Sequence, residues 1–140
     1  MKLLKTKLLT ILFVLAFSIC YSQVTKFKTT SGSTKFFNEN TQRWKDWEKL
    51  TNGADILITL DMTNERIKIF SKSEQVFDII KYYDKKTDSD GDDTISFQCV
   101  DQDGLKCKIR FVILNSQDGR KQIYIDYSDM IILYNIYNLN

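Results

Sequence analysis

The sequence predicts an all-β domain, an antiparallel meander of about eight to ten short strands curled into a small barrel or a sandwich. From Asp55 onward, isoleucine, valine, phenylalanine and tyrosine come in short runs, several alternating with polar residues at the period of a half-buried strand. The polar turns between runs are too short for a crossover, so consecutive strands should be antiparallel neighbours. Proline is absent and only 5 of 140 residues are glycine, which leaves no linker or low-complexity tract to divide the chain.

Residues 1–22 are read apart from that domain, as a signal peptide. Lys2, Lys5 and Lys7 precede an apolar run from Leu8 to Ile19, and Cys20-Tyr21-Ser22 supplies small residues at −3 and −1 before Gln23. That run is shorter than the roughly 20 residues of a membrane span, and no later run approaches this length. The mature chain is therefore expected to be secreted or periplasmic, with no integral membrane segment. Ile19 is too bulky to precede a lipidated cysteine, which argues against a lipoprotein anchored at Cys20. Without the three leader lysines, the 20 basic residues fall to 17 against 18 acidic ones. Such a balance gives no electrostatic case for nucleic acid or an anionic membrane. Residues 23–140 suffice for a single domain with its own core.

Within the domain, strands are expected at 55–62, 66–71, 75–83, 94–100, 105–114, 120–127 and 131–137. Gln102-Asp103-Gly104 and Gln117-Asp118-Gly119 each fit a three-residue hairpin loop with glycine in the left-handed position. The first loop sets Cys99 opposite Cys107, Phe97 opposite Ile109 and Ile95 opposite Phe111. The second sets Ile113 opposite Ile123, Phe111 opposite Ile125 and Ile109 opposite Tyr127. All of these fall on one apolar face, whereas a one-residue slip would bury Lys106, Lys108 and Arg110. Export and this register together predict a Cys99–Cys107 disulfide. Closing a small loop that a hairpin already holds, it should contribute no more than the usual ~2 to 4 kcal/mol.

Upstream the pattern is looser. A two-residue turn at Asn64-Glu65 would set Leu60 opposite Ile69 and Met62 opposite Ile67. Val24 to Lys28 reads as an opening strand, and Thr34–Phe37 with Arg43–Glu48 as a hairpin around Asn38 to Thr41. The alternative for Trp44-Lys45-Asp46-Trp47 is a short helix capped by Asn40 or Thr41, with both indoles on one side. The hairpin is preferred because it continues the meander.

The chemistry-bearing candidates are few. Asp88, Asp90 and Asp92 around Gly91 resemble part of a calcium loop, but Lys86 and Phe97 occupy positions where that loop needs carboxylates. A solvated hairpin tip is the simpler reading, and no metal is expected. Lys106, Lys108 and Arg110 line the outer face, with Arg110 across from Asp126 and near Ser96, which favours local pairing over an anion site. Trp44, Trp47 and Tyr124 are the candidate interaction surface among seven outlying aromatics that include Tyr82, Tyr83, Tyr134 and Tyr137. Around Val112, Leu114, Tyr124 and Leu133 both faces are apolar, so the outer one needs a second layer or a partner. The chain has no histidine, which removes histidine triads, bases and metal sites.

The Tyr21-Ser22-Gln23 leader end, the Trp44-Lys45-Asp46-Trp47 step and the hairpin from Cys99 to Cys107 together resemble small exported β-sheet proteins of the Bacteroidota type. That resemblance covers most of the mature chain and implies an exported bacterial protein, with no functional residues carried over. The expectation is a non-enzymatic binding or interaction module without a cofactor, its partner an unknown protein or small molecule. A lipocalin-like carrier of an apolar ligand is the alternative, and a carboxylate-dependent hydrolase the second alternative. An apolar cavity would favour the carrier, two facing acids the hydrolase, and a filled interior with an exposed aromatic patch the interaction module.

Overall fold

The computed structural model describes residues 23–139. The expected leader lies outside them. Eleven strands follow in order: β1 (Val24–Asn38), β2 (Arg43–Trp44), β3 (Glu48–Lys49), β4 (Leu57–Asp61), β5 (Arg66–Phe70), β6 (Glu74–Tyr82), β7 (Lys86–Thr87), β8 (Asp93–Val100), β9 (Lys106–Leu114), β10 (Arg120–Asp126) and β11 (Met130–Asn138). Eight of them run β1-β4-β5-β6-β8-β9-β10-β11, each antiparallel to the next. β1 then pairs with β11 from Phe27↔Asn138 to Phe36↔Met130, and the sheet closes on itself. The result is an up-and-down barrel, a closure that removes sheet edges. β2 and β3 lie on β1 within the β1–β4 connection, and β7 pairs antiparallel with the start of β8.

The seven strands expected from Asp55 onward are all present, within two residues at each end. Their interior is built largely of isoleucine, whose branched side chain suits the pleated sheet. Ile58, Ile67, Ile69, Ile109, Ile123 and Ile125 are completely buried. The first hairpin has the expected register, Cys99↔Cys107, Phe97↔Ile109 and Ile95↔Phe111, with Gly104 at φ +80°.

Two turns differ from expectation, each by two residues. Leu114 pairs with Arg120, so Ile123 faces Phe111 and Ile125 faces Ile109. The loop holds five residues because Asn115–Gln117 form a 3-10 turn, followed by left-handed Asp118 and Gly119. Asp92 of the neighbouring hairpin pulls that turn aside, accepting from the Ser116 N–H at 2.9 Å and its hydroxyl at 2.8 Å. Likewise Leu60 faces Ile67 and Ile58 faces Ile69. There Asp61 accepts from the Asn64 N–H at 3.0 Å and Glu65 takes a positive φ, making a four-residue loop. A shift of two conserves side-chain parity, so the same residues still face inward.

The N-terminal strands merge. Residues 24–28 and 34–37, expected as separate strands, belong to one β1 of 15 residues with a register shift between Thr29 and Ser31. The hairpin expected around Asn38 to Thr41 is present with its turn one residue later, at 39–42, as Phe37↔Trp44 and Asn38↔Arg43, and Trp44 and Trp47 lie on no helix. The expected strand 43–48 is instead two short pieces, β2 and β3.

The expected disulfide is absent: Cys99 and Cys107 face each other as buried free thiols. The Asp101 N–H donates to the Leu105 carbonyl at 2.9 Å, and hydrogen-bonded pairs recur every second residue along an antiparallel ladder. Cys99 and Cys107 are therefore such a pair, in which Cβ atoms stand about 5.5 Å apart. A disulfide requires about 3.5 to 4.5 Å, so bonding would draw the strands together. Burial pushes the Cys99 thiol up to about 12, helped by Cys107 and Asp78, and the Cys107 thiol up to about 11, helped by Asp101.

Candidate functional site

The barrel is filled at its middle and open at one end. At that end β8 and β10 begin and β9 and β11 finish, so their terminal inward residues form a rim. The register places Ile113, Lys121 and Ile136 side by side on the inner face, with Ile95 opposite Phe111 on the adjoining strand. Below them Phe27, Phe97 and Phe111 make an aromatic floor. Phe111 meets Phe27 at 5.6 Å and Phe97 edge-on at 5.9 Å between ring centroids, offset geometries that aromatic pairs favour. Tyr82 adds an edge-on contact to Phe97 at 5.5 Å.

Between rim and floor lies a mostly apolar cavity of about 190 Å³, with Leu60 and Thr25 completing the wall. An apolar cavity of about 150 Å³ suffices for benzene. Ile95 is 38% exposed, so the rim gives access from solvent.

One cation interrupts the apolar rim. Lys121 is in phase with Ile123 and Ile125 along β10, and its neighbours across the sheet are Ile113 and Ile136. Its ammonium donates to the Asn138 side-chain oxygen at 2.7 Å. It belongs to none of the ion pairs among the described residues, which join Arg66 to Asp78, Lys68 to Glu74 and Arg110 to Asp126. Asp93 shares the rim opposite Ile113, but its carboxylate accepts from Thr87 at 2.5 Å and Asn115 at 3.2 Å. The Thr87 hydrogen bond, with Lys85 nearby, holds that carboxyl below its usual range.

The residues singled out from sequence lie elsewhere. Trp44 and Trp47 are 39% and 43% exposed, and the Lys35 ammonium sits over both rings at 5.4 and 4.8 Å. Phe37 packs edge-on against Trp44 at 5.4 Å. Tyr124 belongs to a different cluster, half-buried beneath the Arg110 guanidinium at 4.2 Å, with its hydroxyl donating to Gln122 at 2.9 Å. Burial raises the Tyr124 hydroxyl, against the pull of Arg110.

Arg110 is locally paired as expected, with two hydrogen bonds to Asp126 at 2.5 and 2.9 Å. The two-residue shift makes that contact diagonal, because Arg110 faces Tyr124 directly. The Lys108 ammonium stands over the Tyr83 ring at 5.1 Å.

Asp88, Asp90 and Asp92 do converge at their hairpin tip. Two of the three carboxylates are engaged in shaping it: Asp88 accepts from the N–H groups of Asp90 and Asp92 at 2.9 and 3.0 Å, while Asp92 holds Ser116. A second hollow, of about 180 Å³, opens at the opposite end of the barrel beside Asp101 and Asp103. Asp101 accepts from the Tyr127 hydroxyl at 2.8 Å and from the N–H groups of Asp103 and Leu105 at 2.9 Å each. Burial pushes its carboxyl up, but those hydrogen bonds outweigh it and the net shift is downward, the wrong direction for a general acid.

Sequence reasoning assigned Ile95, Ile113, Phe97 and Phe111 to the inner face but missed Lys121 and the cavity. One signal was present, a lysine in phase with Ile123 and Ile125. The cavity itself arises only when β1 closes on β11, bringing Phe27 and Ile136 against residues some 70 to 110 positions away in sequence. No known protein family, curated protein or solved structure matches this chain.

Proposed function

We propose that the chain is an exported, non-enzymatic binding protein that takes a small apolar group into the open end of its barrel. The observation that carries this reading is the cavity of about 190 Å³ between the rim isoleucines and the phenylalanine floor. It is smaller than the ~300 to 1,000 Å³ of sites that enclose drug-sized ligands, so the ligand is small or inserts only its apolar end. The reading therefore favours the carrier over a purely surface-acting module. The engagement of Asp101 in hydrogen bonds, with its carboxyl shifted downward, weighs against the hydrolase. Export rests on the basic and apolar order of residues 2–19, and an N-terminus at Gln23 in protein recovered outside the cytoplasm would support it.

Thermal unfolding with 1-hexanol and toluene tests the binding. A ligand that binds only the folded state should raise Tm with saturable concentration dependence. Ile95→Trp, which fills the mouth, should abolish the rise. No saturable shift with either probe, or an equal shift in Ile95→Trp, would overturn the proposal.

A second reading has its own observation, the exposed Trp44 and Trp47 around Lys35. Two indoles and a cation suit a partner surface with apolar and acidic groups. That patch lies on the excursion from β1, toward the barrel end away from the cavity.

A further inference from the structure

The position of Lys121 identifies the class of ligand, an inference that rests on reading the cavity as a binding site. Lys121 stands on an inward-facing row whose next members, Ile123 and Ile125, are completely buried. Its aliphatic stem lies between Ile113 and Ile136, and its ammonium reaches the rim, where its one hydrogen bond among the described residues is to Asn138. A lysine stem can cover apolar wall while its head stays wet, so packing alone accounts for the stem. Packing does not account for the charge. Most of the remaining wall is apolar, and its other polar members, Thr25, Gln122 and Asn138, are uncharged; Lys121 has no carboxylate partner among the described residues, and the rim acid Asp93 is engaged with Thr87 and Asn115. A cation at the lip of an apolar cup complements a molecule with an apolar body and one negative end.

We propose that the cup binds small amphipathic carboxylates, in which a ring or chain of about six to eight carbons occupies the cavity. The apolar part rests on Phe27, Phe97 and Phe111. The carboxylate meets the Lys121 ammonium, beside the Asn138 amide. A charge-assisted hydrogen bond of this kind is stronger than its neutral counterpart and sets the ligand's orientation in the cup.

The test compares acids with their neutral isosteres on the full mature chain by titration calorimetry: phenylacetate against phenylacetamide, and hexanoate against hexanamide. The acid of each pair should bind about 10-fold more tightly or better, since hydrogen bonds to charged groups contribute more than neutral ones. That preference should shrink as salt rises, because the site opens to solvent. Lys121→Met should remove the preference while retaining binding of the amide, and Lys121→Arg should keep it. Circular dichroism establishes that each variant is folded, and the acid-to-amide comparison on the native sequence needs no variant. Equal affinity for acid and amide, or a preference that survives Lys121→Met, would overturn the carboxylate assignment and leave the binding cup intact. Failure of all four compounds to bind would overturn both.

Discussion

Thr29 shows how much one side chain can organise. It is 1% exposed, and its hydroxyl donates to the Gly53 carbonyl at 2.6 Å while accepting from the Ile56 N–H at 2.9 Å. Those two bonds fasten the long connection before β4 to the start of β1. Gly53 sits so close that an added Cβ would meet the Gly32 backbone nitrogen at 2.6 Å. Nothing in the spacing of Thr29, Gly32 and Gly53 announces this contact, since it is made between segments that local patterning treats as separate. Thr29→Val keeps the shape and strands a buried donor and acceptor. We expect it to lower unfolding free energy by about 1 to 3 kcal/mol, with Thr29→Ser closer to the native value, as read from urea denaturation. Equal stability of Thr29→Val and the native protein would show that water replaces both bonds.

Among the strands, what was legible depended on parity rather than on turn length. Alternation fixed which side chains of β8, β9 and β10 face inward, and a hairpin one residue out of register would have turned Lys106 and Lys108 into the core. Turn length was legible at Gly104, where the loop is self-contained. It was not legible at Gly119, where Asp92 captures Ser116 from another hairpin, nor at Asn64, where Asp61 caps a longer turn. The cysteine pair belongs to this scale too. Facing residues were predictable from the turn, but the Cβ separation depends on which type of antiparallel pair they form. Because both thiols have folded values above their ordinary 9.0, the folded state holds protons that the unfolded chain releases above that pH. Their contribution to stability is complete below about pH 9 and declines as pH climbs toward about 11 to 12. Burial raises Tyr127 and Tyr134 as well, in the same direction. The urea midpoint should therefore hold steady to about pH 9 and fall beyond it, less steeply in a Cys99→Ala, Cys107→Ala chain. A midpoint unchanged to pH 11 would contradict this account of the pair.

The whole molecule is where the sequence was least informative. Seven neighbouring strands were readable, but barrel and sandwich remained alternatives because nothing local says that the first strand returns to the last. Closure needs β1 to run for 15 residues, pairing with β4 over residues 24–28 and with β11 over residues 27–36. That same closure creates the cup, since Phe27 and Ile136 supply wall and floor to residues of β8, β9 and β10. Trp44, Trp47 and Tyr124 drew attention as aromatics in polar surroundings, whereas Lys121 is the reverse, a charge in apolar surroundings. The most direct test of the account is a methyl spectrum of the isoleucine-labelled protein during titration with phenylacetate. We expect shifts at Ile95, Ile113 and Ile136, with Ile131 on the outer face unmoved. Shifts confined to Ile131, or none at saturating ligand, would contradict it.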